Sequence, residues 1–154
     1  MGHTLLHRRL AADLTSAMVY ALLRLRIEVF VVEQGCPYQE LDGRDLDATT
    51  RHFWLAPDGA MQNVHATLRM LEQPEGQFQI GRICVAQHAR GRGAMRRLVE
   101  AALAEVGDAP CTIAVQAHLT GRYSAFGFVP AGAEFTQDGI AHVPMRRKGP
   151  VGVG

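Results

Sequence analysis

Ile80-Gly-Arg-Ile-Cys-Val-Ala-Gln-His-Ala-Arg-Gly-Arg-Gly-Ala-Met-Arg-Arg-Leu-Val99 reads, in order, as a strand, a glycine-rich turn and the start of a helix. Ile80 to Ala86 is β-prone, with Ile83 and Val85 as stiff, branched residues suited to a pleated surface. The turn carries Arg90, Gly91, Arg92 and Gly93. Beyond it, Leu98, Val99, Ala102 and Val106 recur at helical spacing, which predicts a helix from near Gly93 to near Gly107. The first turn of a helix has unsatisfied N–H donors and a partial positive charge, and glycine lets a ligand approach the backbone closely. With Arg90, Arg92, Arg96 and Arg97 around the same point, the arrangement suits a phosphate or pyrophosphate. Taken alone, the turn fits an ordinary tight strand-to-helix connection as well.

Working outward, Phe78 to Ala86 extends the strand backwards to a Glu75-Gly76 turn. His52 to Ala56 and Val64 to Leu71 flank an Asp58-Gly59 turn and read as an antiparallel hairpin. Leu5 to Leu10 reads as a first strand. A helical pattern then runs from Thr15 or Asp13 as N-cap through Met18, Leu22, Leu25 and Val29, stopping before Gly35 and Pro37. The polar segment from Pro37 to Thr50 reads as a substrate-side loop with a helical turn. After the central helix come a strand over Cys111 to Val115, a short helix over Leu119 to Ala125, and a strand over Gly127 to Phe135. An Asp138-Gly139 turn and a last strand, Ile140 to Arg146, complete the pattern.

The 154 residues fit one domain with one substantial core, and 47% apolar residues describe a globular chain. A net charge of +1 offers no general attraction to nucleic acid or to an anionic membrane. Cys36, Cys84 and Cys111 are odd in number and lack metal-ligand spacing, which favours reduced thiols and a cytoplasmic protein without a metal. No run reaches the roughly 18–20 apolar residues of a membrane span, and no signal-peptide pattern opens the chain. Gly149 to Gly154 reads as a flexible tail behind a domain of residues 1–148. Exposed sheet edges leave room for a homodimer.

The strand–turn–helix unit resembles the central motif of the GCN5-related N-acetyltransferase (GNAT) superfamily, Arg/Gln-x-x-Gly-x-Gly/Ala, with Arg90 and Gly93 at its first and fourth positions. Met95 departs from it, standing where the family has Gly or Ala. Tyr123, Gly127 and Phe128 match the family's Tyr-x-x-x-Gly-Phe, while Gln116-Ala117-His118 stands where many members have an asparagine. Arg26, Glu33, Gln34, Cys36, Pro37, Tyr38, Asp42, Asp45 and Leu46 resemble the ElaA-type branch, which also has a histidine at the place of His52. The matching segments extend over most of Leu22 to Val129. The resemblance implies a single α/β (α+β) domain whose mixed, mostly antiparallel sheet of six to seven strands has helices on both faces.

It also implies direct transfer of the acetyl group of acetyl-coenzyme A to a primary amine of a small molecule or peptide. The cofactor-binding set it implies is Ile83, Cys84, Val85, Arg90, Gly91, Arg92, Gly93, Ala94, Met95 and Arg96, with a backbone N–H near Ile83 to Val85 facing the developing oxyanion. Tyr123 takes the place of the general acid that protonates the departing thiolate. An ammonium acceptor must first lose a proton. At pH 7 this costs about 4–5 kcal/mol for a lysine-like amine of pKa about 10.4, and about 1–1.4 kcal/mol for an α-amine near 8. The family's usual glutamate base is missing from Phe78 to Arg82, so Glu33 and His52 are the candidate bases, with His118 third. Glu33 also reads as a buried ion-pair partner of Arg26, and Asp42 and Asp45 as attractors of a cationic acceptor or as capping residues. The alternative is a non-catalytic acyl-coenzyme A-binding sensor or partner module of the same fold.

Overall fold

The structure, a computed structural model, describes residues 3–147, so the expected 149–154 tail lies outside the described residues. Strand β1 (Thr4–Leu10) is followed by helix α1 (Ser16–Ile27), which Thr15 caps by accepting from the Met18 N–H at 3.1 Å. The helix runs on as a π-helical turn, Glu28–Glu33, and ends at Gly35 in a left-handed conformation (φ 61°). Strands β2 (Arg51–Pro57), β3 (Ala66–Gln73) and β4 (Gln77–Val85) come next, then helix α2 (Ala94–Val106) and strand β5 (Cys111–Gln116). Helix α3 (Thr120–Ser124) and strands β6 (Val129–Pro130), β7 (Phe135–Gln137) and β8 (Ile140–Arg147) complete the described residues.

One sheet in the order β1-β2-β3-β4-β5-β8-β6, with β7 also on β8, holds all eight strands. Among the described residues only the β4–β5 pair is parallel. Alternation along β2 sends Phe53 and Leu55 to one face and Trp54 and Ala56 to the other. The first face packs against Leu98, Val99, Ala102 and Val106 of α2, the second against Met18, Leu22 and Leu25 of α1. The expected helices on both faces are therefore present.

Two expectations need correction. The Gly127–Phe135 strand is broken into β6 and β7, giving eight strands among the described residues rather than six or seven. Pro130 has no N–H for the ladder, and the chain leaves the sheet after Ala131 donates to the Pro144 carbonyl at 2.8 Å. The segment from Pro37 to Thr50 forms no helix; charge holds it instead. Arg26 on α1 is 1% exposed, donates from Nε to Glu40 at 2.7 Å, and pairs with Asp45. Arg69 of β3 donates to Asp42 at 2.9 Å and to Asp45 at 3.2 Å, and Arg82 of β4 donates to Glu40 at 2.8 Å. Three guanidinium groups and three carboxylates balance, so the loop is pinned over β3 and β4 without a net buried charge.

Removing one partner of such a cluster strands the others in low dielectric, so Arg26→Met should lower unfolding free energy by about 3–5 kcal/mol, read as a drop in the urea midpoint. The network also makes the fold acid-labile. Burial pushes the Asp45 carboxyl up, but the Arg26 and Arg69 guanidinium groups outweigh it and hold the carboxyl below its ordinary 3.8. That stability is complete above the ordinary carboxylate range and is lost as pH falls through the depressed value. Burial pushes His52 below its ordinary 6.5, so its contribution is full above pH 6.5 and declines as pH falls below that. The urea midpoint should fall in two steps on acidification, and His52→Gln should shrink the earlier one, to which His7 and His65, also held below 6.5 by burial, contribute as well.

Candidate functional site

Strands β4 and β5 pair at Phe78–Cys111 and Gln79–Thr112 and then separate. The departure begins at Gly81-Arg82, where β4 is bulged against β3 between Thr67 and Arg69 and Arg82 adopts φ 49°. A left-handed arginine is costly unless its surroundings fix it. Here they do, because its guanidinium is anchored on the Glu40 carboxylate and, at 3.1 Å, on the Glu40 carbonyl. The opened sheet frames a cleft of about 1040 Å³, at the upper end of the roughly 300–1,000 Å³ usual for ligand sites. One wall comes from the π-helical turn and the pinned loop, the other from β5, α3 and the β7–β8 hairpin. Cys36 joins the two walls, its thiol donating to the Asp138 carbonyl at 3.2 Å.

Of the residues expected to bind a phosphorylated cosubstrate, Ile83, Cys84, Val85, Arg90, Gly91, Gly93, Ala94 and Met95 line this cleft. Gly91 (φ 79°) and Gly93 (φ 74°) need the left-handed region, and a Cβ at either would point into open space. The turn therefore presents bare backbone at the N-terminus of α2, a 13-residue helix, so the residues present fit a pyrophosphate. Met95 packs against the α2-side core, which accommodates the side chain that departs from the motif. Arg92 and Arg96 fall outside the lining, and Arg96 lies 3.8 Å from Glu100 one helical turn on. Arg90 donates to the Val85 carbonyl at 3.1 Å and to Glu33 at 2.9 Å, which fixes the start of the turn.

The candidate bases are placed differently from one another. Glu33 lines the cleft but pairs with Arg90, not with Arg26 as expected, and the Arg90 guanidinium holds its carboxyl below the usual range. His52 does not line the cleft. It is buried under the pinned loop, where Nε2 donates to the Asp45 carbonyl at 2.9 Å. Asp42 and Asp45 are likewise committed to the arginine network rather than left to attract a cation. His118 lines the cleft. So does Tyr123, whose ring meets Phe128 edge-on at 6.4 Å and whose hydroxyl is pushed up to about 12 by burial. A phenol kept protonated at a cleft is suited to donating. Sequence reasoning does not single out Arg69, Arg82 or His142, all of which line the cleft. Their signal lies in strand pairing and in contacts between distant segments, which no local pattern displays. Among the described residues no group of three or more His, Cys, Asp or Glu is arranged to hold a metal, and no helix is long and apolar enough to cross a membrane.

A family model described as "Acetyltransferase (GNAT) domain" matches residues 15–148. A UPF0039 protein of Mycobacterium tuberculosis is 57% identical over 148 residues, covering 94% of this chain and 93% of that protein. Protein ElaA of Escherichia coli is 36% identical over 145 residues, covering 89% and 92%. The crystal structure of an acyl-CoA N-acyltransferase from Pseudomonas aeruginosa is similar with a TM-score of 0.88 at 42% identity, covering 94% of this chain and 99% of that one.

Burial pushes the Cys84 thiol up to about 12 and the Cys111 thiol up to about 11, whereas Cys36 is only half-buried at the cleft. A disulfide reagent should therefore label one thiol per native chain, and all three once the chain is unfolded.

Proposed function

The chain belongs to the GNAT acetyltransferase family, and on that premise we propose that it transfers the acetyl group of acetyl-coenzyme A directly to a primary amine of a small molecule or peptide. The observation that carries this reading is the opening between β4 and β5, which runs up to the bare Gly91–Met95 backbone at the start of α2. Once the strands part, β5 no longer pairs the facing backbone of β4 over Gly81 to Val85, and that edge is free to bond a pantetheine arm. Ile83, Cys84 and Val85 would hold the arm and direct an N–H at the thioester oxygen. Gly91, Gly93, Ala94 and Met95 would donate to the pyrophosphate, with Arg90 fixing their turn and Arg92 and Arg96 adding positive charge nearby. Acetyl-coenzyme A supplies an activated thioester whose carbonyl carbon accepts the amine. Tyr123 would then protonate the departing sulfur.

No covalent enzyme intermediate is needed. Both buried thiols are held protonated, and a thiol rather than a thiolate is a poor nucleophile. Titration calorimetry should show micromolar binding of acetyl-coenzyme A and little response to ATP; absence of binding would remove the reading. Tyr123→Phe should leave that affinity nearly unchanged and slow thiol release by about 100-fold. A wild-type chain that binds acetyl-coenzyme A but releases no thiol in an amine screen would instead be the acyl-coenzyme A sensor.

A further inference from the structure

We propose that His142 is the general base that takes the proton from the acceptor amine, an inference that rests on the transferase reading above. The ring lines the cleft, and its Nδ1 lies 2.8 Å from the Ile140 carbonyl of its own strand. A carbonyl oxygen only accepts, so Nδ1 carries the hydrogen and the neutral ring presents its Nε2 lone pair. Phe135 stacks on the ring at 5.7 Å and an interplanar angle of 23°, which holds its plane.

Strand register then separates the base from the acid. His142 pairs with Gln116 and Pro144 with Ala114, whereas the alternate pairs Val115–Val143 and Ile113–Met145 belong to the α2-side core. His142 and Gln116 therefore share the opposite face of the sheet. Tyr123 belongs to the α2-side core. Tyr123 and His142 thus reach the same cleft from opposite faces of the sheet, which keeps the proton donor and the proton acceptor apart. The other ionisable groups brought to the cleft near this end of β8 are His118, Asp138, Arg122 and, from the opposite wall, Cys36.

In the step, Nε2 takes one proton from the acceptor's ammonium and passes it to water. The freed nitrogen pair forms the C–N bond to the acetyl carbon. The C–S bond breaks with its electron pair on sulfur, which receives the Tyr123 proton, and the second nitrogen proton returns through water to the tyrosine oxygen. One ammonium and one thioester become one amide, one thiol and one released proton.

His142→Asn keeps a donor near Nδ1 and deletes the Nε2 lone pair. We would measure thiol release from acetyl-coenzyme A to water, to glycinamide and to N-acetyl-lysinamide for wild type and variant, from pH 6.5 to 10. The variant should bind acetyl-coenzyme A like wild type and be slower by about 100-fold or more at pH 7. With each amine the deficit should shrink as pH approaches that amine's own pKa, because solvent then supplies the free base. A purely packing role would lower the rate equally at every pH. Nitrogen-15 spectra of the wild-type ring at pH 8 should show hydrogen on Nδ1 and a bare Nε2, a test that stands even if the variant does not fold. Wild-type rates in the variant, a deficit constant with pH, or a neutral ring protonated on Nε2 would each overturn the assignment. A wild-type chain that binds acetyl-coenzyme A and releases no thiol to any of the three overturns the transferase reading itself, and the base with it.

Discussion

The cleft depends on a charge-balanced cluster, Arg26, Arg69 and Arg82 against Glu40, Asp42 and Asp45, that is buried at Arg26, Arg69, Glu40 and Asp45 and reaches the surface at Arg82 and Asp42. Its members come from α1, from the loop that follows, and from two central strands. An unpaired charge at the buried positions would be costly, so Arg26, Arg69, Glu40 and Asp45 are tolerable there only while their partners are present. That mutual dependence fixes a loop which has no helix or strand of its own. Hydrophobic burial supplies the two cores, but it is indifferent to the register of a polar loop. The ion cluster sets that register, and the loop in turn becomes one wall of the site.

The cluster also maintains a distortion. Arg82 holds a backbone conformation that an L-residue ordinarily avoids, and its side chain is clamped on Glu40. The bulge there turns the end of β4 away from β5 just beyond their two residue pairs. A sheet edge exposed inside a domain is normally a liability, because its N–H and C=O groups lack partners. In this fold the exposed edge faces a cleft instead of bulk surface, where an extended ligand can complete it. The ion network that holds the loop therefore also holds the strand open.

The second wall shows the same economy. Cys36 reaches across to the carbonyl of Asp138, tying the segment after α1 to the β7–β8 turn, although the two are 102 residues apart. That turn is built from Asp138 and Gly139, both with positive φ, as the tight hairpin geometry requires. Arg90 makes a comparable link at the glycine-rich turn, joining the π-helical turn to the end of β4 through Glu33 and Val85.

By itself the sequence determined what depends on near neighbours. The 3.6-residue spacing of Leu98, Ala102 and Val106 identified α2, the run through Trp54 identified β2, and Gly91 and Gly93 marked a turn open to an anion. The motifs around Arg90 and Tyr123 led to the family, because their spacing lies within single segments. Contacts between segments were decided only in three dimensions. Arg26 chose Glu40 and Asp45 over Glu33, His52 was drawn beneath the loop, and Pro130 divided one expected strand into two. His142 came to the cleft through its register opposite Gln116. A local pattern records which face a side chain takes within its own element, whereas the partner across the sheet or loop is selected by packing and charge balance over the whole chain.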